Sequence, residues 1–210
     1  MTVSKAIKRP AILLLGAPGS GKGTQGSVLG AIPRFIHYES GHVFRGLDTR
    51  TELGKKFVEY SSRGELVPDE FTIQLWAERM DSMESAHTYK PDIDILVLDG
   101  IPRTVEQCRI LEDYIEMVQV FHLSCPDRGE LARRMRKRAL KEQRLDDASE
   151  EVIQNRISTY ENETKPILDY YPDEIRCDVN ATQSPAKVLY DILERLQTLP
   201  SYQRIAALGA

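Results

Sequence analysis

The chain has 210 residues, of which 41% are hydrophobic and 29% are charged, and its formal net charge at pH 7 is −4. This size and composition predict one domain with a substantial core, and the acidic balance argues against a dedicated nucleic-acid-binding protein, which would normally be basic. Three widely spaced cysteines indicate neither a disulfide framework nor a zinc site. No segment approaches the ~20 apolar residues of a membrane span, so we expect a cytoplasmic protein without membrane or nucleic-acid partners.

Short apolar runs alternate with longer amphipathic segments along the chain. The apolar runs predict strands at 11–16, 35–38, 93–98, 117–124 and 174–179. The amphipathic segments predict helices at 22–31, 41–48, 52–63, 69–84, 104–114, 127–142, 149–169 and 184–198. This alternation predicts an α/β fold with a parallel sheet and helices on both of its faces. The residues after 200 are expected to form a loose end or a short docking segment.

A glycine-rich run follows directly after the first predicted strand. It spans Gly16–Thr24 and reads Gly-Ala-Pro-Gly-Ser-Gly-Lys-Gly-Thr. Between a strand and a helix, such a loop lets backbone N–H groups converge on a phosphate, and Lys22 would add a cation for the β and γ phosphates of a nucleotide. The strict pattern has Ser or Thr directly after the lysine, whereas Gly23 intervenes here. The side-chain hydroxyl that contacts Mg²⁺ directly in many such enzymes would therefore be missing. The alternative is a turn that only joins a strand to a helix.

The next two predicted strands also end in charged or polar groups. Glu39–Arg45 follows the second strand and Asp99–Thr104 follows the third. Ligands of open α/β sheets lie beyond the carboxyl ends of the strands, so these groups are expected to converge with Lys22. Asp99 would hold the water shell of a nucleotide-bound Mg²⁺, with a helix cap or turn residue as the alternative. Arg103 lies in a constrained turn and would contact a phosphate, with a plain surface arginine as the alternative.

Three motifs, taken together, closely resemble the adenylate kinases, a family within the nucleoside monophosphate kinases. They are the run Gly16–Gln25, the run Leu98–Thr104 with Gln107, and the run Gly64–Asp69. The resemblance extends from about residue 11 to residue 198, and the glycine after the lysine is itself typical of the family. It implies the P-loop NTPase fold with a five-stranded parallel sheet, and transfer of the γ-phosphoryl group of ATP to AMP, giving two ADP, with Mg²⁺ required. Nothing in the sequence indicates an obligate interface, so a monomer is expected.

The resemblance also implies how the single domain, residues 1–210, is divided. A core would comprise 11–38, 69–136 and 148–198, a subdomain that binds the nucleoside monophosphate would comprise 39–68, and a short lid would comprise 137–147. Residues 139–143 stand where short-lid relatives have a glycine-containing loop, and every one of them favours helix. We therefore expect a stiffer, helical lid and slower turnover.

Each site residue receives a role from the same resemblance. The ATP-binding residues would be Gly19, Ser20, Gly21, Lys22, Gly23, Thr24, Arg134, Arg138 and Gln183. The AMP-binding residues would be Ser40, Arg45, Glu65, Leu66, Val67, Gly100, Arg103, Gln107, Arg144 and Arg156. The catalytic residues would be Lys22, Arg103, Arg138, Arg144 and Arg156, and Asp99 would hold Mg²⁺ through water.

Two of these assignments have alternatives that the residues alone leave open. Gln107 matches the glutamine that hydrogen-bonds adenine in adenylate kinases, and an exposed helical glutamine is the alternative. The arginines between 133 and 156 fall where the family has its closing lid. An ordinary solvated helical face, with ion-pair partners such as Glu130, is the alternative there.

One departure from the family bears on the metal. His42 stands where the family has an aspartate, so a carboxylate that helps to order magnesium-bound water would be lost. The imidazole could act as a catalytic base, although a simple hydrogen-bond donor is the commoner role of a loop histidine near phosphates. Such departures keep two other functions open: a kinase for another nucleoside monophosphate such as UMP or CMP, and a nucleotide-binding module of low catalytic activity.

Overall fold

The computed structural model describes residues 8–142 and 149–207. Within these ranges the strands are β1 (Arg9–Leu15), β2 (Phe35–Glu39), β3 (Ile95–Asp99), β4 (Ile115–Ser124) and β5 (Arg176–Asn180). Neighbouring strands are parallel throughout, and their order in the sheet is β2-β3-β1-β4-β5. The predicted α/β fold with a five-stranded parallel sheet is confirmed.

The helices surround this sheet. In chain order they are α1 (Lys22–Leu29), α2 (Ser40–Arg45), α3 (Glu52–Ser62), α4 (Asp69–Ser85), α5 (Val105–Leu111), α6 (Arg128–Glu142), α7 (Glu150–Thr159), α8 (Ile167–Tyr170), α9 (Pro185–Leu196) and α10 (Pro200–Ala207). A hydroxyl side chain caps the first turn of four of them, which satisfies an N–H group that the helix itself leaves unpaired; these caps are Thr51, Thr104, Ser149 and Ser184. In the part of the chain described here, no helix is both long and apolar enough to cross a membrane.

Alternate residues of β1 pack on opposite faces of the sheet. Ile12 and Leu14 belong to a buried cluster with side chains of α1, α6, α7 and α9. Leu13 and Leu15 belong to a second cluster with side chains of α4, α5 and α8. Because both faces are covered, the strand reads as an unbroken apolar run, as buried parallel strands do. This burial fixes the end of β1, and therefore the glycine-rich loop that follows it.

A third and smaller cluster lies beside the second. Phe44 of α2 is buried with Val67 and Leu75, and Phe57 of α3 stacks on Phe44 with ring centroids 5.4 Å apart. The segment that contains α2 and α3 therefore has a small apolar centre of its own, which it shares with α4.

Helix α1 packs very closely against β2. A methyl group on Gly26 would lie 2.3 Å from His37 Nε2, and one on Gly30 would lie 2.6 Å from His37 Cβ. Both distances are too short for any residue larger than glycine unless His37 moves. Helix α1, which follows the glycine-rich phosphate loop, is thus held directly on the sheet.

Several boundaries differ from the sequence prediction, and two of the differences have a clear structural cause. The predicted helix 149–169 is wrong as a single element, because α7 gives way at Tyr160–Thr164 to a π-helical turn that precedes Pro166. In that turn Lys165 N–H donates to Tyr160 C=O at 2.8 Å, a spacing of five residues. Strand β3 begins two residues later than predicted, since the Asp94 carboxylate accepts the Lys90 N–H at 2.7 Å and closes a turn there.

Residues Pro200–Ala207 form helix α10, as expected for a docking segment and not for a loose end. Tyr202 packs against the first buried cluster, and its ring centroid lies 5.9 Å from that of Phe35. The chain therefore returns to the start of β2, at the opposite end of this strand from Glu39.

Candidate active site

The edge of the sheet where β1, β2, β3 and β5 end opens into a cavity of about 980 Å³. All the predicted site residues that the structure describes line this cavity: Gly19, Ser20, Gly21, Lys22, Gly23, Thr24, Ser40, Arg45, Glu65, Leu66, Val67, Asp99, Gly100, Arg103, Gln107, Arg134, Arg138, Arg156 and Gln183. Arg144 lies outside the described residues. One continuous site thus gathers side chains that are up to 164 positions apart, from Gly19 to Gln183.

The glycine-rich loop wraps around one end of the cavity. Gly19 and Gly21 have φ angles of 86° and 100°, which residues with a side chain rarely adopt. Helix α1 begins at Lys22 without a side-chain cap, so no side chain occupies the position in front of its first N–H groups. The Ser20 hydroxyl is buried and has no hydrogen-bond partner among the described residues. Together these donors form a site that suits a phosphate.

Lys22 provides the cation beside this loop. Its Nζ donates to the carbonyl oxygens of Gly16 at 2.6 Å and of Ala17 at 3.1 Å. Desolvation in the cleft lowers the pKa of Lys22 to about 8, the carboxylate of Asp99 opposes this change, and nearby arginines reinforce it. A phosphate bound beside Lys22 would favour its charged form and raise this pKa again.

Several arginines converge on the same point. Desolvation lowers the pKa of Arg103 to about 10, and the neighbouring Arg156 and Arg45 contribute while Asp99 and Glu39 oppose the shift. Arg103 Nε donates to Gly100 C=O at 2.8 Å, which fixes the guanidinium over the cavity. So many like charges in one cleft repel each other, and a polyanionic ligand relieves this repulsion. The alternative of Arg103 as a plain surface arginine is wrong.

Two carboxylates face the loop from neighbouring strand ends. Glu39 and Asp99 are paired in the β2–β3 register. A methyl group on Gly23 would lie 3.6 Å from Asp99 Oδ2 and 3.9 Å from Glu39 Oε2, so both oxygens approach the same point of the loop. Sequence reasoning named Glu39 only within the run Glu39–Arg45 and gave it no role of its own, although its place at the end of β2, level with Asp99, is the signal for one. Its other oxygen, Oε1, accepts from Arg45 Nη2 at 2.9 Å.

His42, which stands where the resemblance implies an aspartate, lies apart from this chemistry. Its side chain is exposed and does not line the cavity. The cavity therefore keeps a second carboxylate, from position 39 rather than from position 42. The alternative of His42 as a catalytic base has no support from this geometry.

The other end of the cavity is more apolar and carries an amide. Phe44, Phe57 and Val67 line it, and the Gln107 side chain there is 1% exposed. The alternative of Gln107 as an exposed glutamine is therefore wrong. Ser40 Oγ donates to Gly100 C=O at 2.6 Å and ties the start of α2 to the loop after β3. Apolar walls with one directed amide suit a planar heterocyclic base.

Helix α6 brings arginines to the phosphate-loop end. Arg134 Nε donates to Glu130 at 2.6 Å, and its Nη1 donates to Ala181 C=O at 2.9 Å, which links α6 to the loop after β5. In that loop, Gln183 Nε2 donates to Asn180 C=O at 3.1 Å. Arg136 is exposed and pairs with Glu150, as expected for an ordinary solvated helical face. Arg134 does not fit this alternative, because it lines the cavity.

The helical character predicted for residues 139–143 is found as far as the structure describes them. Helix α6 continues without a break to Glu142, and Leu140 on it is 86% exposed. Lys141 and Glu142 line the cavity, so the last turn of α6 stands directly over the site. The remaining residues of the predicted lid, 143–147, lie outside the described residues.

Comparison with known proteins identifies the family of this chain. A family model described as adenylate kinase matches residues 14–176, from the end of β1 to the start of β5. The chain belongs to the adenylate kinase family. This membership confirms the family predicted from the three motifs and the P-loop NTPase fold that the motifs imply.

Individual relatives match over most of their length. The adenylate kinase of Azobacteroides pseudotrichonymphae is 33% identical over 193 residues, which cover 89% of this chain and 96% of the relative. Adenylate kinase 1 of Nostoc sp. is 32% identical over a match that covers 86% of this chain and 95% of the relative. The adenylate kinase of Cyanothece sp. is 36% identical and covers 79% and 83%.

Proposed function

We propose that this protein is an ATP:AMP phosphotransferase, which reversibly transfers the γ-phosphoryl group of ATP to AMP and gives two ADP. Family membership supports the reaction. The observation that carries it is the single cavity of about 980 Å³, which has a phosphate loop with Lys22 at one end and the buried Gln107 at the other. Such a cavity can hold two nucleotides with their phosphates facing each other across the arginines.

The donor, ATP, is assigned to the phosphate-loop end. Its phosphates would bind the backbone of Gly19–Thr24 and Lys22, and Arg134 and Arg138 would contact them from α6. Its adenine would lie near Gln183, beside the loop that Arg134 holds through Ala181 C=O. A lid of residues 137–147 would close over it, and the helical end of α6 supports a stiff hinge.

The acceptor, AMP, is assigned to the end formed largely by residues 39–68. Glu65, Leu66 and Val67 would border the base, Gln107 would hydrogen-bond it, and Ser40 and Gly100 would flank it. Arg45, Arg103, Arg144 and Arg156 would bind the AMP phosphate. An AMP phosphate would compete with Glu39 for Arg45, because these two side chains are paired at 2.9 Å.

Phosphoryl transfer requires little covalent chemistry from the protein. The charge of the transferred group is spread over its oxygens, so alignment and a cage of cations supply most of the rate enhancement. Lys22, Arg103, Arg138, Arg144 and Arg156 would form this cage, and closure would exclude water from it. No general base is required.

The carboxylates near Gly23 fit a magnesium ion that is bound to ATP and held through water. Mg²⁺ retains several waters and favours oxygen ligands, and Asp99 and Glu39 offer acceptor oxygens beside the phosphate loop. When bound, the ion neutralises phosphate charge and orients the phosphate chain. Asp99 and Glu39 would fix its water shell from the two adjacent strand ends.

We further propose that the protein is organised as a core (11–38, 69–136 and 148–198), an AMP subdomain (39–68) and a short lid (137–147). The separate small cluster around Phe44 supports an AMP subdomain that moves as a unit. We also propose that the protein is a cytoplasmic monomer, as expected from its sequence.

The experiment that tests this function measures ADP formation from ATP and Mg²⁺ with AMP, UMP, CMP, GMP or dAMP at matched concentrations. We expect AMP to be preferred and the preference to collapse in Gln107→Ala, because the base would lose its directed amide. Preference for UMP or CMP would indicate the other nucleoside monophosphate kinases. ATP binding without ADP formation from any acceptor would indicate the low-activity binding module.

A further inference from the structure

The Gln107 carboxamide is held from both sides by the protein. Its Oε1 accepts the backbone N–H of Arg103 at 2.7 Å. Its Nε2 donates to Asp69 Oδ1, also at 2.7 Å, across 38 positions of sequence. With the side chain 1% exposed, little solvent competes for these bonds. The amide is therefore oriented by groups of two different elements, the first turn of α4 and the loop before α5.

Asp69 is itself fixed by the cap of α5. Its second oxygen, Oδ2, accepts from Thr104 Oγ1 at 3.0 Å. The same hydroxyl accepts the backbone N–H of Gln107 at 3.1 Å, as the cap of the helix. The hydroxyl has one hydrogen and lone pairs to spare, so it can make both bonds at once. The hydrogen bonds among Asp69, Thr104 and Gln107 form a closed ring.

This ring permits only one orientation of the amide. A backbone N–H can only donate and a carboxylate can only accept. A flipped amide would place N–H against N–H at Arg103 and oxygen against oxygen at Asp69. The positions of the oxygen and nitrogen of the amide are therefore fixed by Arg103 on one side and Asp69 on the other.

A fixed orientation has a consequence for the base that the amide meets. A carboxamide can pair with a 6-aminopurine, which presents a ring acceptor beside an amino donor. When flipped, it can pair equally with a 6-oxopurine, which presents a ring N–H beside a carbonyl acceptor. In Gln107 the second Nε2 hydrogen and the second Oε1 lone pair remain for a ligand, in a fixed order. The selectivity of the site between 6-aminopurines and 6-oxopurines therefore depends on the groups that fix the orientation of the Gln107 amide.

We propose that Asp69 is a positioning residue that makes the acceptor site select 6-aminopurine over 6-oxopurine monophosphates. The inference rests on the proposed function, since it assigns the base end of the cavity to the acceptor. Asp69 is not among the residues that line the cavity, so it acts through Gln107.

The test compares AMP and IMP as acceptors in the wild type and in two variants of similar side-chain volume. Asp69→Leu removes the acceptor and the charge, whereas Asp69→Asn removes only the charge and keeps an oxygen that Gln107 can reach. We expect Asp69→Leu to lower the AMP-to-IMP ratio of kcat/KM by about tenfold, mainly through the KM for AMP, with the KM for ATP unchanged. Asp69→Asn should keep the wild-type ratio.

Three outcomes would overturn the inference. They are an unchanged ratio in Asp69→Leu, equal losses in both variants, and a fall in activity with both acceptors that accompanies a loss of thermal stability. Asp69→Ala carries the same comparison if Asp69→Leu does not fold. A wild type that forms no ADP from AMP would instead reject the proposed function, and AMP and IMP binding measured by calorimetry would then decide the orientation separately.

Discussion

Under the proposed function, Glu39 and Asp99 would hold the water shell of the magnesium ion from two neighbouring strand ends. They are level in the β2–β3 pairing, and their carboxylate oxygens approach Gly23 from two sides. A hydrated cation between them and a nucleotide phosphate would have acceptors for two of its waters. We therefore expect that the histidine at position 42 does not weaken the binding of the metal.

We expect Glu39→Gln to weaken Mn²⁺ binding to the protein–ATP complex by about tenfold, because a neutral amide orders metal-bound water less well than a carboxylate. Electron paramagnetic resonance of Mn²⁺ at saturating ATP measures this without turnover. Glu65→Gln is the matched control, since Glu65 also lines the cavity and also pairs with an arginine, Arg63, at 2.8 Å, but is assigned to the AMP end rather than to the metal. Equal Mn²⁺ affinity in the wild type and Glu39→Gln would contradict the role.

Motifs located most of the site residues, because the phosphate loop and the loop after β3 follow strand ends directly. Asp69 was recognised as part of a motif, but its contact with Gln107 joins residues 38 positions apart. Glu39 was predicted to lie at the site as part of the run Glu39–Arg45, but the sequence alone did not indicate that its carboxylate lies beside Asp99. Both omissions concern partners that become visible only when strand register and helix ends are known.

At the level of elements, the end of helix α6 lies where the proposed lid begins. Residues 139–142 are helical and stand over the cavity, where a glycine-containing loop would bend more easily. A continuous helix transmits motion as a rigid body, so it opposes local bending during closure and release.

Leu140 offers a clean way to loosen this element. Its side chain is 86% exposed, so its removal costs little packing. We expect Leu140→Gly to destabilise this turn by about 1 kcal/mol and to raise kcat by about twofold through faster product release. Leu140→Ala keeps the helix and should match the wild type in stopped-flow measurements of closure and release. Identical rates in the two variants would show that helix stiffness does not limit turnover.

Element boundaries were predictable where periodicity and caps agree, as at the start of α5, where Thr104 forms the cap. The break between α7 and α8 was not, because the helical pattern continues through a segment where one extra residue per turn gives a π-helical turn before Pro166. Tyr160 and Thr164, at the two ends of the π-helical turn, line the cavity, so the missed break bears on the site.

For the whole molecule, the unequal cores predict unequal stability. The two large clusters flank the central strands, whereas the segment 39–68 relies on the small cluster around Phe44. Regions with few buried apolar contacts open locally more often than the main core.

We therefore expect backbone amides of α3 to exchange with deuterium much faster than those of β1 in the nucleotide-free protein. AMP alone should slow exchange in 39–68, because it would bridge this segment to the loop after β3, and ATP alone should act mainly on α1 and α6. Hydrogen exchange followed by mass spectrometry measures both the exchange rates of the free protein and the protection that each nucleotide gives. Equal protection of all segments by either nucleotide would argue against a separately moving AMP subdomain.

The tight contact between α1 and His37 has a consequence in genetic terms. Alanine at Gly26 would collide with the His37 ring, so a smaller side chain at position 37 would act as a second-site suppressor of that change. Alanine at Gly30 would collide with His37 Cβ, which every residue except glycine retains. Gly26 of α1 and Gly30 at its C-cap thus differ in how their loss can be compensated. Several smaller side chains at position 37 could compensate for alanine at position 26, whereas only glycine at position 37 could compensate for alanine at position 30.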